Sequence, residues 1–116
     1  MKILGIGVDI VQNKRIGSLI RNKSFVLRTF GKNEIKFSKK NSNKTNYFSK
    51  RFAAKEALAK SIGTGFRNNL NLKDIEILNN KQGKPFYCKS KKIDNLVKKR
   101  FKIKRFNLFL SISDEK

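Results

Sequence analysis

Three side chains in this sequence sit in settings that could do chemistry. Asp9 comes near the end of the apolar run ILGIGVDI, residues 3–10. Glu56 and Lys60 lie one helical turn apart in RFAAKEALAKSIGTG, residues 51–65. The chain has no histidine and a single cysteine, Cys88. That excludes Ser-His-Asp and Cys-His centres, an internal disulfide, and zinc sites built on several Cys or on His. Acid–base work must fall to Asp, Glu, Lys, Tyr or water. A bound metal would be held by oxygen, which favours a hard ion such as Mg²⁺. Neither a GxxxxGK[ST] phosphate loop nor a GxGxxG fingerprint occurs.

Each candidate also has a plainer reading. Glu56 and Lys60 could be a surface i,i+4 pair worth about 0.2–0.5 kcal/mol. Asp9 could be hydrogen-bonded for structural reasons, or it could share a Mg²⁺ ion with Glu56. At about 100° per residue, Phe52, Ala53, Glu56, Ala57 and Lys60 share one helix face. Arg51, Lys55, Leu58 and Ile62 lie roughly opposite. Such a helix has no clean amphipathic split, as expected for a semi-buried helix carrying working polar groups.

The elements that must position these residues follow from periodicity. Residues 3–10 read as a strand, with Leu4, Ile6, Val8 and Ile10 on one face and Ile3, Gly5, Gly7 and Asp9 on the other. Two glycines in a strand signal close backbone approach or a bulge. Helices are predicted over 11–21, with 24–30 extending that region, and over 32–39 and 46–62. Strands are predicted over 72–78 and 85–88, with NNKQGK as the turn between them. A basic helix over 89–101 and a strand over 105–113 complete the chain. Residues 1–116 form one domain of α+β class, a largely antiparallel sheet packed against helices.

Composition narrows the function class. The 29 basic and eight acidic residues give a net charge of +21. That fits an acidic or polyanionic partner, or drift in a genome biased towards Lys, Asn, Ile and Phe codons. The aromatic residues are mostly Phe at core-periodic positions, which argues against a nucleic-acid stacking surface. No 18-residue apolar run exists and the N-terminus lacks a signal-peptide pattern, so a cytoplasmic protein is expected.

GIGVDIV (5–11), RFAAKEALAKSIGTG (51–65) and NNKQGKP (79–85), in this order and spacing, resemble the bacterial holo-[acyl-carrier-protein] synthases. These are the small trimeric 4′-phosphopantetheinyl transferases. The resemblance covers nearly the whole chain and implies transfer of 4′-phosphopantetheine from coenzyme A to a serine of apo-acyl carrier protein. The second product is adenosine 3′,5′-bisphosphate, and the setting is fatty acid biosynthesis. It implies Mg²⁺ held by Asp9 and Glu56, and Lys60 contacting a coenzyme A phosphate. It places the Gly63-Thr64-Gly65 turn near the nucleotide. Carrier docking would fall to Arg15, Arg21, Lys23, Phe25 and Arg28, with sites lying between subunits of a homotrimer. The family continues into a final strand of the type YAxAxVIxE, so the fold is expected to lack that strand here. Two other readings remain: a basic nucleic-acid-binding module, and an inactive family member.

Overall fold

The longest helix, α4 (Lys44–Ile62), is the axis around which the other elements are arranged. The structure is a computed structural model and describes residues 2–63 and 70–114. The Asn43 side chain caps α4 by accepting from the Asn46 amide at 3.0 Å. Gly63 ends it in the left-handed region at φ 82°, the conformation that glycine enters without a Cβ penalty.

Three short helices precede it: α1 (Asn13–Leu19), α2 (Lys23–Thr29) and α3 (Lys32–Ser38). They close an aromatic core of Ile16, Phe25, Phe30, Tyr47, Phe48 and Phe52. The Phe30 and Phe48 rings lie 4.6 Å apart, and Phe25 meets Phe30 edge-on at 6.2 Å, separations at which aromatic pairs add to plain burial.

Downstream of α4, a 3₁₀ turn (Leu72–Asp74) leads to the hairpin of β1 (Ile77–Asn79) and β2 (Pro85–Tyr87). The strands are antiparallel, with Ile77 opposite Tyr87 and Asn79 opposite Pro85. Asn80 Oδ1 accepts from the amides of Gln82 and Lys84, each at 2.9 Å, and Gly83 takes φ 85°. Helix α5 (Lys91–Phe101) is capped by Ser90 and buries Ile93 and Val97. These two join Leu58, Ile62, Leu70, Ile75 and Ile77 in a second, aliphatic core.

The helix-rich chain with one small antiparallel sheet keeps the expected class, with three corrections. Residues 3–10 and 105–113 join no ladder among the described residues. The alternation of 105–113 survives: Phe106, Leu108, Leu110 and Ile112 pack inward against the aliphatic core. What is missing is a neighbour at strand spacing. The two segments form opposite walls of a cleft of about 650 Å³ floored by Ala53, Ala57 and Ser61 of α4. Third, the strand expected over 72–78 begins as a 3₁₀ turn, because Asp74 Oδ2 accepts from the Asn71 amide at 2.9 Å and folds the chain back.

Candidate active site

The segment carrying Asp9 lies directly on the backbone of α4. A Cβ at Gly5 would overlap the Ser61 carbonyl oxygen, and one at Gly7 would overlap that of Ala57. The two glycines therefore allow a strand-to-helix approach that no other residue permits. The consequence is local. Asp9, two residues beyond Gly7, comes down beside the face of α4 that holds Glu56 and Lys60.

There Lys60 Nζ donates to Asp9 Oδ1 at 2.9 Å and to the Val8 carbonyl at 3.2 Å. The i,i+4 reading of Lys60 is thereby replaced: its ion-pair partner is Asp9, across the two elements, and not Glu56. The Asp9 carboxylate is 15% exposed and the Lys60 side chain 57%. The inner group is thus held while the outer one remains free to reach into solvent.

Glu56 is half-buried, and its carboxyl is pushed above the ordinary range. Burial is the largest cause and the Asp9 charge the second; Lys60 and Arg15 pull the other way. Lys60 is pushed up by its hydrogen bond to Asp9 and by that carboxylate's charge. The site is thus a pair of carboxylates close enough to repel, with cations on the rim. A donor set of two part-buried carboxylates beside an exposed cationic rim suits Mg²⁺, which takes one or two protein carboxylates and fills its shell with water and phosphate oxygens.

The structure accounts unequally for the other predicted residues. Arg15, Arg21, Lys23 and Arg28 are all exposed around α1 and α2. Arg15 is near enough to Glu56 to stabilise its charge, which the sequence did not suggest. Phe25 is corrected: at 8% exposure it belongs to the aromatic core, where Phe30 and Phe52 cover it. It supports the surface from below, with the Arg28 guanidinium 5.8 Å over its ring. Gly63 ends α4 as expected, whereas Thr64 and Gly65 lie outside the described residues.

A family model for the 4′-phosphopantetheinyl transferase superfamily matches residues 5–108. The chain belongs to that superfamily. It is 60% identical over 116 residues to the holo-[acyl-carrier-protein] synthase of Pelagibacter ubique, covering all of this chain and 91% of that protein. It is 49% identical to the synthase of Clostridium beijerinckii, over 96% of this chain and 87% of the relative. Among solved structures, the Neisseria meningitidis synthase superposes with a TM-score of 0.86 at 36% identity, covering 99% of this chain and 91% of that one. The Bacillus anthracis synthase, solved in complex with CoA (3′,5′-ADP), gives 0.69 at 37% identity over 76% of each chain. The family match includes Asp9, Glu56 and Lys60, the residues that the fold brings together.

Sequence reasoning missed a second cluster on α4. Lys55 and Glu34 are both fully buried and form an ion pair. Lys55 also donates to the carbonyls of Leu72, at 3.1 Å, and Ile75. The signal was present: Lys55 shares a helix face with Leu58 and Ile62, so a core-facing lysine needed an acidic partner from a short supply.

Proposed function

We infer that the chain is a holo-[acyl-carrier-protein] synthase, moving 4′-phosphopantetheine from coenzyme A to a serine of apo-acyl carrier protein. The observation that carries this is the meeting of Asp9, Glu56 and Lys60 at the contact of the 3–10 segment with α4. It supplies two carboxylates and one mobile cation in a chain whose relatives bear that name.

In the reaction, the serine oxygen bonds to the phosphorus that bears pantetheine. The bond from that phosphorus to the bridging oxygen breaks, and adenosine 3′,5′-bisphosphate leaves with the electron pair. Such transfers depend mainly on positioning and on neutralising charge at phosphate oxygens. Asp9 and Glu56 would hold Mg²⁺, which when bound neutralises phosphate charge. Lys60, exposed on the rim, exchanges Asp9 for a phosphate of coenzyme A. The serine proton passes to Glu56 through a water.

We further assign a cytoplasmic homotrimer whose sites lie between subunits. Ile6, Val8 and Ile10, flanking Asp9 on the face away from α4, are 70–90% exposed, which supports a partner subunit there. No helix of the described residues is long and apolar enough to cross a membrane.

The assay mixes the protein with apo-acyl carrier protein, coenzyme A and Mg²⁺ and follows the carrier's mass. A phosphopantetheine increment that disappears with chelator is the expected result. No increment, together with salt-sensitive DNA binding, would favour a nucleic-acid-binding module; no increment and no binding, an inactive family member. Docking is tested separately. Arg15→Ala and Arg21→Ala should each raise the Michaelis constant for the carrier about 3–10-fold at low salt, an effect that shrinks as salt is added. An unchanged constant at low salt places docking elsewhere.

A further inference from the structure

We propose that the buried Lys55–Glu34 pair is a positioning device that fixes the rotation of α4 and thereby the direction in which Glu56 points. The inference rests on the reading of Glu56 as the metal-holding and proton-accepting carboxylate.

The buried side chains of α4, from Tyr47 and Phe48 through Arg51, Ala54, Lys55 and Leu58 to Ile62, fall mostly within about half of the helix circumference, and that stripe is not purely apolar: Arg51 and Lys55 lie in the middle of it. A helix that is apolar on one stripe is oriented by burying that stripe, whereas a stripe interrupted by two cations fixes the rotation less sharply. Directional bonds can supply the missing information, and on α4 they fall on one seam. Tyr47, Arg51 and Lys55 follow one another at four-residue spacing. The Tyr47 hydroxyl donates to the Glu34 carbonyl. Arg51 donates to Asn79 Oδ1 at 3.0 Å. Lys55 uses its three protons on Glu34 Oε1, the Leu72 carbonyl and the Ile75 carbonyl.

Glu34 is equally committed. Its Oε1 also accepts from the Gly31 amide at 2.9 Å, and its Oε2 accepts from the Ile77 amide at 3.0 Å. One carboxylate and one ammonium therefore tie α4 to the start of α3, to the 3₁₀ turn and to β1. The pair is dry and its hydrogen-bonding groups are filled, the condition under which buried ions confer specificity of arrangement instead of simply costing stability.

The link to catalysis is one residue long. Glu56 follows Lys55 and so points about 100° round the helix from it. A side chain reaching about 5–6 Å from the axis moves about 2 Å for a 20° turn. Mg²⁺ demands near-ideal geometry at about 2.0–2.1 Å, and a misplacement of about 1 Å can cost about 10²-fold in rate. A modest rotation of α4 would therefore take Glu56 away from Asp9 without unfolding anything.

The test is the double variant Glu34→Gln/Lys55→Met, which removes both charges at similar volume, read by Mg²⁺ titration calorimetry and by steady-state kinetics. Expected are a native circular dichroism spectrum, a roughly 10-fold weaker Mg²⁺ affinity, and kcat lower by about 10–100-fold. The Michaelis constants for coenzyme A and carrier should stay within about twofold. Ile93→Val, a core change on α5, is the control for stability alone and should leave metal affinity unchanged. Should the double variant not fold, Tyr47→Phe, which removes a single directional bond of the same seam, is read in the same way. A folded variant with wild-type Mg²⁺ affinity and kcat overturns the proposal. Because metal binding is measured apart from turnover, a wild-type protein that binds Mg²⁺ but transfers nothing would sink the functional reading and leave the positioning test standing.

Discussion

Glu56→Gln should lower turnover by about 10²–10⁴-fold, the usual contribution of a positioned general base, and should make the metal-free protein more stable at neutral pH. The two effects have one origin. Burial and the nearby Asp9 charge raise the folded-state pKa of Glu56 above its ordinary 4.5. Over the window between those two values the native protein keeps a proton that the unfolded chain has released. Stability therefore falls as pH rises through that window, and above it the penalty is fully present. The glutamine carries no charge, so it escapes the penalty. The melting temperature of the variant in chelator should accordingly exceed that of the wild type at pH 7 and match it more closely near pH 4. Mg²⁺ should reverse the order. A metal held by the folded protein alone would stabilise it through mass action, and Glu56→Gln should lose most of that gain. A variant that binds Mg²⁺ normally and turns over at the wild-type rate would remove Glu56 from both roles.

That an unfavourable carboxylate pair is kept in the fold supports the reading of Asp9 and Glu56 as working residues. Glu34 and Lys55, by contrast, leave solvent as a matched pair. The residue pattern showed this only in part. Asp9 and Glu56 stood out because acids are scarce here and histidine is absent. The glycines at 5 and 7 announced a close approach, and the structure names what they approach. The helices and the 77–87 hairpin were legible from apolar spacing and from the Asn-rich turn. The ladders expected for residues 3–10 and 105–113 were not. Period-two alternation reports which face is buried, and for 105–113 it reported correctly, but pairing requires a second chain segment at about 4.8 Å. Alternation carries no information on that. The Lys55–Glu34 pair was legible only by half: the face shared with Leu58 and Ile62 marks Lys55 as core-facing, but 21 residues separate it from Glu34, and nothing local names the partner. Phe25 went astray because a phenylalanine beside exposed arginines suits a docking surface and a core equally well, and only its neighbours Phe30 and Phe52 decide.

Gly7→Ala should be the most damaging small substitution in the chain outside Asp9 and Glu56. The added Cβ would overlap the Ala57 carbonyl oxygen and come within 2.9 Å of the Ser61 amide nitrogen. Both are helix backbone and cannot swing aside, so the 3–10 segment must lift. Overpacking of this kind costs about 1–3 kcal/mol. The rate should fall further than that loss suggests, by about 10²-fold, because lifting the segment carries Asp9 away from Glu56 and a displacement of about 1 Å at a reacting centre is enough. Gly5→Ala separates the two effects. Its Cβ would meet the Ser61 carbonyl oxygen in a comparable overlap, but two residues farther from Asp9. The two variants should lose similar amounts of stability by chemical denaturation, while Gly7→Ala loses clearly more turnover and more Mg²⁺ affinity. Equal losses of rate would mean that the glycines serve packing alone. A Gly7→Ala protein with wild-type turnover and metal binding would mean that Asp9 is not held in the centre by this contact.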